Sequence, residues 1–206
     1  MAAHTRSKNH ARKLNRLFRR KRIVRAMDVQ EAGIPHIYLT RMVKAGEARR
    51  IGRGIYELAD APWNERETFA RVCTRIDKAT IGLLTAAQIH ELTTIAPPSV
   101  WIFLPPGTPH PTVDFVRLEI AYMDPPLLDE TAVDTLDYYN AKIRLTNPAK
   151  TVADLFRYRN RVGLDAALEA LRTLTQKQEH INDMMRHAKR ERVDRFIAPY
   201  LQAMLA

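Results

Sequence analysis

Glycine and proline divide the first 60 residues into short segments, and this punctuation limits the folds open to them. Gly33 follows one helix-like segment, Pro35 opens the next, and Gly46 ends it. Glycine is favoured just after a helix because it adopts the left-handed conformation, and proline is favoured at the first helical position. With the apolar spacing, this predicts helices near residues 8–20, 25–32 and 35–45.

A predicted hairpin follows these three helices. Residues 48–58 contain two short strand-like runs joined at Gly52-Arg53-Gly54. Two helices, a turn, a third helix and a hairpin are the element order of a winged helix-turn-helix. We therefore predict an N-terminal winged helix-turn-helix domain over residues 1–62, with Asp60-Ala61-Pro62 as a linker.

The third helix has two different faces when its residues are placed 100° apart. The apolar face, expected to pack on the first two helices, consists of Pro35, Leu39, Met42 and Val43. The opposite face consists of Ile37, Thr40, Arg41 and Lys44. Arginine reads guanine and an apolar side chain meets the thymine methyl in the major groove. The second face is thus a candidate recognition surface, and the alternative is an ordinary solvated face.

Positive charge is concentrated in this predicted domain. Residues 1–58 hold 15 Lys and Arg against 4 Asp and Glu, whereas residues 59–206 hold 18 against 19. A basic domain joined to a neutral one suggests a module that binds a polyanion. The candidate DNA-binding residues are His36, Ile37, Thr40, Arg41, Lys44, Arg49, Arg50 and Arg53. The arginines of the hairpin are expected to contact the minor groove or phosphates, or else only to aid solubility.

The second domain, residues 63–206, is predicted to be mixed α/β with a helical C-terminal part, so the fold class is α+β. Eight of the twelve prolines lie between Pro97 and Pro126, which predicts loops around short strands. Strand-like segments are found at residues 100–104, 113–123 and 139–145. Helices are predicted from residue 64 to 77 and, through the C-terminal third, from Asn147 onward. Pro199 is expected to kink or divide the last of them.

The helix that follows Asn147 carries several charged residues above an apolar stripe. Lys150 and Asp154 lie four residues apart and are expected to form an ion pair. The functional alternative is an outward-facing surface that meets a ligand or a protein partner, which consists of Lys150, Asp154, Arg157, Arg159 and Arg161. The stripe of Val152, Leu155 and Phe156 is expected to be core.

Motifs that carry chemistry are missing from the sequence. It contains no glycine-rich phosphate loop, and His90-Glu91 lacks a second histidine four positions on, where Thr94 stands. Cys73 is the single cysteine, so neither a disulfide nor a cysteine-based zinc site can form within the chain. We expect no catalytic residues, no metal site and no cofactor. A cytoplasmic protein without a membrane span is expected, with a transit peptide at residues 1–22 as an alternative.

The sequence resembles the AbiEi family of antitoxins from type IV toxin–antitoxin systems, which are linked to abortive phage infection. In the predicted DNA-binding domain the resemblance lies in residues 22–28, 32–35, 38–39, 46–47 and 50–56. In the second domain it lies in residues 83–87, 90–94, 147–160, 163–172 and 199–201, of which 147–160 is the most specific. Residues 8–20 depart from the family because they are unusually rich in arginine.

The resemblance implies an autorepressor that binds inverted repeats of double-stranded DNA in its own promoter. It also implies that the C-terminal domain counteracts a nucleotidyltransferase-like toxin without forming a stable complex with it. The chain is expected to be a monomer in solution or to bind DNA cooperatively. Two alternatives stay open: a solitary regulator whose C-terminal domain senses a ligand or protein, and an enzyme acting on nucleic acid or nucleotides.

Overall fold

The structure, a computed structural model, describes residues 2–52, 54–60, 65–138, 141–177 and 180–205. The chain divides into two compact units, and each is described by itself. The first consists of Met1–Asp77 with Asp137–Lys142, and the second of Lys78–Leu136 with Ile143–Ala206. The predicted α+β class is confirmed: a helix-turn-helix and a small sheet occupy the first unit, and a sheet with helices occupies the second.

The first unit has the predicted element order with one addition. Its elements are α1 (Ala2–Lys21), β1 (Ile23–Arg25), α2 (Ala26–Glu31), α3 (His36–Lys44), β2 (Ala48–Gly52), β3 (Ile55–Leu58) and α4 (Glu65–Arg75). Sequence reasoning missed β1, which pairs antiparallel with β3 and completes a three-stranded sheet in the order β1-β3-β2. The hairpin is therefore anchored from its β3 side to the segment that leads into the helix-turn-helix.

A small apolar core joins the elements of the first unit. Leu14 and Phe18 of α1, Val29 of α2 and Leu39 of α3 are fully buried together with Val24 of β1. They recur at helical spacing within each helix, so each helix turns one face inward. The predicted basic amphipathic helix at residues 8–20 is confirmed, and it begins earlier, at Ala2.

Helix α4 packs with the first unit although it follows the predicted linker. Arg22, just before β1, forms an ion pair of 3.2 Å with Glu67 of α4. Arg71 of α4 lies 3.7 Å from Glu57 of β3. The predicted domain boundary at residue 62 lies outside the described residues and stays a prediction. These contacts group α4 with the first unit.

Most of a five-stranded mixed sheet, in the order β6-β5-β4-β8-β7, lies in the second unit. Its strands are β4 (Thr80–Ile81), β5 (Val100–Leu104), β6 (Leu118–Tyr122), β7 (Val133–Tyr138) and β8 (Ala141–Thr146). Strand β4 runs antiparallel to β5 and parallel to β8, and β5 runs parallel to β6. The strand predicted at residues 113–123 is β6, which begins at 118 rather than 113, and β4 and β7 were not anticipated.

Helices cover this sheet and form the C-terminal part, as expected. They are α5 (Leu83–Ile89), α6 (Pro148–Arg157), α7 (Arg159–Val162), α8 (Leu164–Gln176), α9 (Ile181–Arg190) and α10 (Asp194–Leu205). The Asn147 side chain accepts a hydrogen bond from the Lys150 backbone and caps α6, as predicted. Helix α10 continues through Pro199 without dividing.

Helix α6 lies at the centre of the second unit. It packs against α5, α8 and α9, and every residue from Ala149 to Phe156 is buried. Val152, Leu155 and Phe156 are core residues, as predicted. Because neighbours surround the helix, its polar residues are enclosed together with its apolar ones.

Candidate nucleic-acid interface

Helix α3 presents the two faces that its sequence predicts. Leu39 is fully buried and Met42 is 8% exposed, so this face holds the helix on the core. On the other side Ile37 is 51% exposed, and Arg41 and Lys44 are also exposed. Thr40 is partly exposed beside them. Pro35, which we placed on the packing face, is exposed at the N-cap of the helix.

A tight turn fixes α3 against α2. Gly33 has a φ of +66°, a conformation that residues with a side chain seldom adopt. Its backbone N–H donates to the Gln30 carbonyl over 2.9 Å, and the Ile34 N–H donates to the Val29 carbonyl over 3.0 Å. Ile34 is buried immediately after the turn. The turn therefore ends α2, and the buried side chain of Ile34 fixes the start of α3 on the core.

Aromatic rings lie beside Arg41 on the exposed face of α3, which is the candidate recognition surface. The Arg41 guanidinium lies 5.4 Å from the centre of the Tyr38 ring, a cation–π distance. His10 of α1 lies 5.2 Å from the same ring. The Thr40 hydroxyl donates to the His36 carbonyl over 3.3 Å. The side chains that face outward are thus partly positioned before any ligand arrives.

The hairpin formed by β2 and β3 has the predicted place beside α3. The pairing shifts register between Arg50 and Gly52, and Gly54 has a φ of +71°, so the strands turn tightly. The Gly54 carbonyl accepts a hydrogen bond of 2.7 Å from the Ala26 backbone, which ties the hairpin to the start of α2. Arg53, the predicted tip cation, lies outside the described residues.

The two other hairpin arginines differ in their surroundings. Arg50 is exposed. Arg49 is also exposed, but its Nε donates to the carboxylate of Glu57, which is fully buried in β3. The acid offsets part of the Arg49 charge.

A cluster of charged residues links β3 with α4, and its members are Arg22, Glu57, Glu67 and Arg71. Burial, and then the hydrogen bond and negative charge of Glu57, raise the pKa of Glu67 above its ordinary value. Arg22 and Arg71 act in the opposite direction. Sequence reasoning missed this cluster because its members are far apart in the chain. Its effect is to join β3 and α4 through groups that are costly to leave unpaired.

An apolar groove lies between α2 and the start of α3. Its volume is about 490 Å³, and Met27, Val29, Gln30, Gly33 and His36 are among the residues that line it. Met27 is 62% exposed, close in sequence to the turn. The lining of the groove thus includes an exposed apolar side chain, which sequence reasoning did not foresee.

The surface predicted around Lys150 and Asp154, which the family resemblance would make an antitoxin surface, differs in the structure. Lys150 and Asp154 do form the predicted ion pair, but they are 1% and 0% exposed, so the expectation that they face outward is wrong. The Lys150 ammonium also donates to Glu191 over 2.7 Å and lies 3.3 Å from the sulfur of Met123. The reason is the central position of α6, which leaves its polar side chains no solvent.

The buried cluster holds two carboxylates around one ammonium. Burial, reinforced by the charge of Glu191, raises the pKa of Asp154 well above its ordinary value, and Lys150 opposes that shift. The two carboxylates raise the pKa of Lys150 against the effect of its burial, so the ammonium keeps its charge. Burial, and then the charge of Lys150, lower the pKa of His187. The cluster is thus an internal ion network without access for a substrate.

The three arginines assigned to the same surface mostly hold the fold. Arg157 donates to the Glu191 carbonyl over 3.2 Å, Arg159 to the Phe156 carbonyl over 2.9 Å, and Arg161 to the Ile120 carbonyl over 2.9 Å. Arg157 and Arg161 are still exposed, whereas Arg159 is half-buried. Of the five residues assigned to the predicted surface, Arg157 and Arg161 are therefore the two that are exposed.

No group of histidine, cysteine and acidic residues among the described residues is arranged to hold a metal ion. In the same part of the chain, no helix is long and apolar enough to cross a membrane. His187 and Tyr56 are both buried.

Comparison with known proteins supports the N-terminal assignment. Residues 12–59 match the family described as "Transcriptional regulator, AbiEi antitoxin". No curated protein matches the sequence significantly. The crystal structure of the RV2827C protein from Mycobacterium tuberculosis is similar in fold, with a TM-score of 0.55 over 95% of this chain and 77% of that one. The two sequences are 14% identical, so this likeness concerns the fold alone.

Proposed function

We propose, on the premise that residues 12–59 belong to the AbiEi family of antitoxin transcriptional regulators, that this chain represses its own toxin–antitoxin operon. Helix α3 would enter the major groove at inverted repeats of the promoter, and the β2–β3 hairpin would contact the flanking backbone. The observation that carries the proposal is the exposed face of α3. Its cations stand opposite a fully buried Leu39, so the helix is both anchored and available.

Specific side chains on α3 have complementary roles in this proposal. Arg41 would read guanine, and Ile37 would meet a thymine methyl. His36, Thr40 and Lys44 would contact base edges or phosphates, and Arg49, Arg50 and Arg53 would contact the backbone from the hairpin. Two copies on an inverted repeat would bind cooperatively or assemble from monomers on the DNA.

The test is footprinting and affinity measurement on the promoter upstream of the gene. Arg41→Ala should weaken binding by about 1–3 kcal/mol and reduce discrimination at one or two base pairs. Arg172→Ala, which removes an exposed cation of the second unit, is the matched control and should change neither. Equal affinity of the wild-type chain for promoter and scrambled DNA would refute sequence-specific repression.

The second unit would carry the antitoxin activity against a nucleotidyltransferase-like toxin. We base this part on the match of the N-terminal region to an antitoxin family, and we place the toxin-facing surface at the exposed Arg157 and Arg161. The two functions should then separate. In the full-length chain, changing Arg41 and Lys44 to alanine should abolish repression and leave protection intact.

Protection is measured by growth of cells that express the neighbouring toxin. Arg157→Gln with Arg161→Gln should lower protection while repression of the promoter persists. Arg172→Gln with Arg195→Gln changes two exposed arginines elsewhere in the second unit and serves as the control. Full protection by the Arg157 and Arg161 variant would refute the proposed surface, and toxicity in the presence of the wild-type chain would refute the antitoxin role.

A further inference from the structure

Helix α1 carries a row of arginines that take no part in the DNA contacts proposed for α3 and the hairpin. Arg12, Arg16 and Arg19 are all exposed, and they recur at intervals of four and three residues. Residues at this spacing lie on one side of a helix. At 1.5 Å per residue the row spans about 10 Å. We call these three residues the α1 ridge.

The ridge is a strong and uncompensated positive patch. Helix α1 contains no acidic residue, and the nearest acid that follows it in the sequence is Asp28. Asp28 itself is occupied by Lys21, at 2.5 Å. Among the residues that the structure describes, no acidic partner is seen for Arg12, Arg16 or Arg19. Three cations so close together repel one another, which favours a polyanionic ligand.

The ridge also adjoins the recognition face of α3. A groove of about 240 Å³ runs between the two helices and is lined by Ala11 and Asn15 on one side and by Tyr38 and Arg41 on the other. On the helical wheel of α1, Arg12 and Arg19 follow directly after the edge that holds Ala11 and Asn15. Buried Leu14 and Phe18 fix the rotation of α1, so this relation is not free to change. Arg41 and the ridge therefore lie on opposite sides of this groove, whose lining also includes the acidic Glu47.

We propose that the α1 ridge is a second DNA-contacting surface, which binds phosphates beyond the segment read by α3. This inference rests on the proposed DNA binding and extends its footprint. Each strand of a duplex offers one phosphate per about 3.4 Å of its axis. The 10 Å of the ridge thus match about three consecutive phosphates of one strand. Arginine at an exposed position contacts phosphate without selecting a base, so the ridge adds affinity and leaves specificity to α3.

The test compares the full-length chain with the triple variant Arg12→Gln, Arg16→Gln and Arg19→Gln on a 30-base-pair duplex of mixed sequence. Each lost phosphate contact reduces the slope of log affinity against log salt by about 0.9, so the variant should lose about 2.7 from the slope. Between 50 and 200 mM salt, the affinity of the wild-type chain should fall about 40-fold more than that of the variant. Circular dichroism should show the same helix content in both proteins.

The matched control is the triple variant Arg172→Gln, Lys189→Gln and Arg195→Gln. It removes the same charge from exposed positions of the second unit and should leave the slope unchanged. A second control is the length of the probe. A 12-base-pair duplex offers little DNA beyond α3, so the difference between wild type and ridge variant should be smaller on it than on 30 base pairs.

The outcomes separate this inference from the proposed function. If the wild-type chain prefers its promoter and Arg41→Ala loses that preference, while the ridge variant keeps the wild-type slope, the ridge is refuted and the repressor proposal stands. If the control triple variant lowers the slope equally, the effect is one of total charge and the ridge is again refuted. A ridge variant that loses binding to an RNA duplex of the same length, but not to DNA, would assign the surface to RNA instead. Absence of any DNA binding by the wild type would overturn both.

Discussion

Replacing Lys150 by methionine should strongly destabilise the second unit, because the substitution removes the ammonium that pairs with two buried carboxylates. Asp154 is 0% exposed and Glu191 is 4% exposed, and both lose their ion-pair partner. Removing one member of a buried ion pair costs about 3–5 kcal/mol. Methionine keeps a similar length, so loss of packing contributes little to this figure. We expect a loss of about 3–5 kcal/mol in the free energy of unfolding at pH 8.

The loss should depend on pH in a defined direction. Without Lys150, the pKa of Asp154 rises further in the folded state, because burial then acts without the opposing charge of the ammonium. The pKa of Asp154 is then higher in the folded protein than in the unfolded chain. At any pH between these two values, the folded protein binds more protons than the unfolded chain. Stability therefore falls as pH rises through that window, and the penalty should be smaller at pH 5 than at pH 8.

The assay is urea unfolding followed by the fluorescence of Trp101, which lies in β5 of the second unit. The chain has two tryptophans, so a Trp63→Phe background leaves Trp101 as the single reporter. This choice avoids treating a chain of two units as one transition. Lys189→Met, which changes an exposed lysine of α9, is the control and should shift the midpoint little.

A compensated variant makes the reasoning refutable. Lys150→Met combined with Asp154→Asn and Glu191→Gln removes all three charges, so no carboxylate is left buried without a cation. This triple variant should recover most of the stability and lose the pH dependence. A loss below about 1 kcal/mol in the single variant, or an equal loss at pH 5 and pH 8, would show that the network is not energetically important.

Two further predictions test the hairpin and the sheet. Arg53→Ala should weaken binding to promoter and scrambled DNA by similar factors, since a hairpin cation meets mainly phosphate; a specific loss on the promoter alone would contradict this. Gly82→Ala should destabilise the second unit by about 1–3 kcal/mol in the same fluorescence assay, because a Cβ at this position overlaps the ring of Phe103. Gly107→Ala, where no atom lies within 4 Å, controls for the loss of glycine, although its φ of +79° adds strain of its own. Equal unfolding midpoints for wild type and Gly82→Ala would refute the steric argument.

The local structure of the first unit was largely determined by the sequence. Gly33 and Gly46 mark the ends of helices α2 and α3, and each has a positive φ, which glycine adopts without strain. The spacing of Leu39 and Met42 identifies the buried face of α3, and hence its exposed one. These features depend on residues within one or two turns of each other, so a single sequence contains the information.

The second unit shows what only the tertiary structure decided. An amphipathic pattern in α6 correctly identified Val152 and Phe156 as core, but it could not show that other helices enclose the opposite face as well. Lys150 is buried because these helices enclose it, and its ammonium there meets Glu191, which is 41 residues away in the sequence. Strand β1 was missed for the same reason, since three residues become a strand only when β3 pairs with them. Hydrogen bonds and ion pairs between distant segments leave no periodic trace in the chain, and they form only where the packed core brings those segments together.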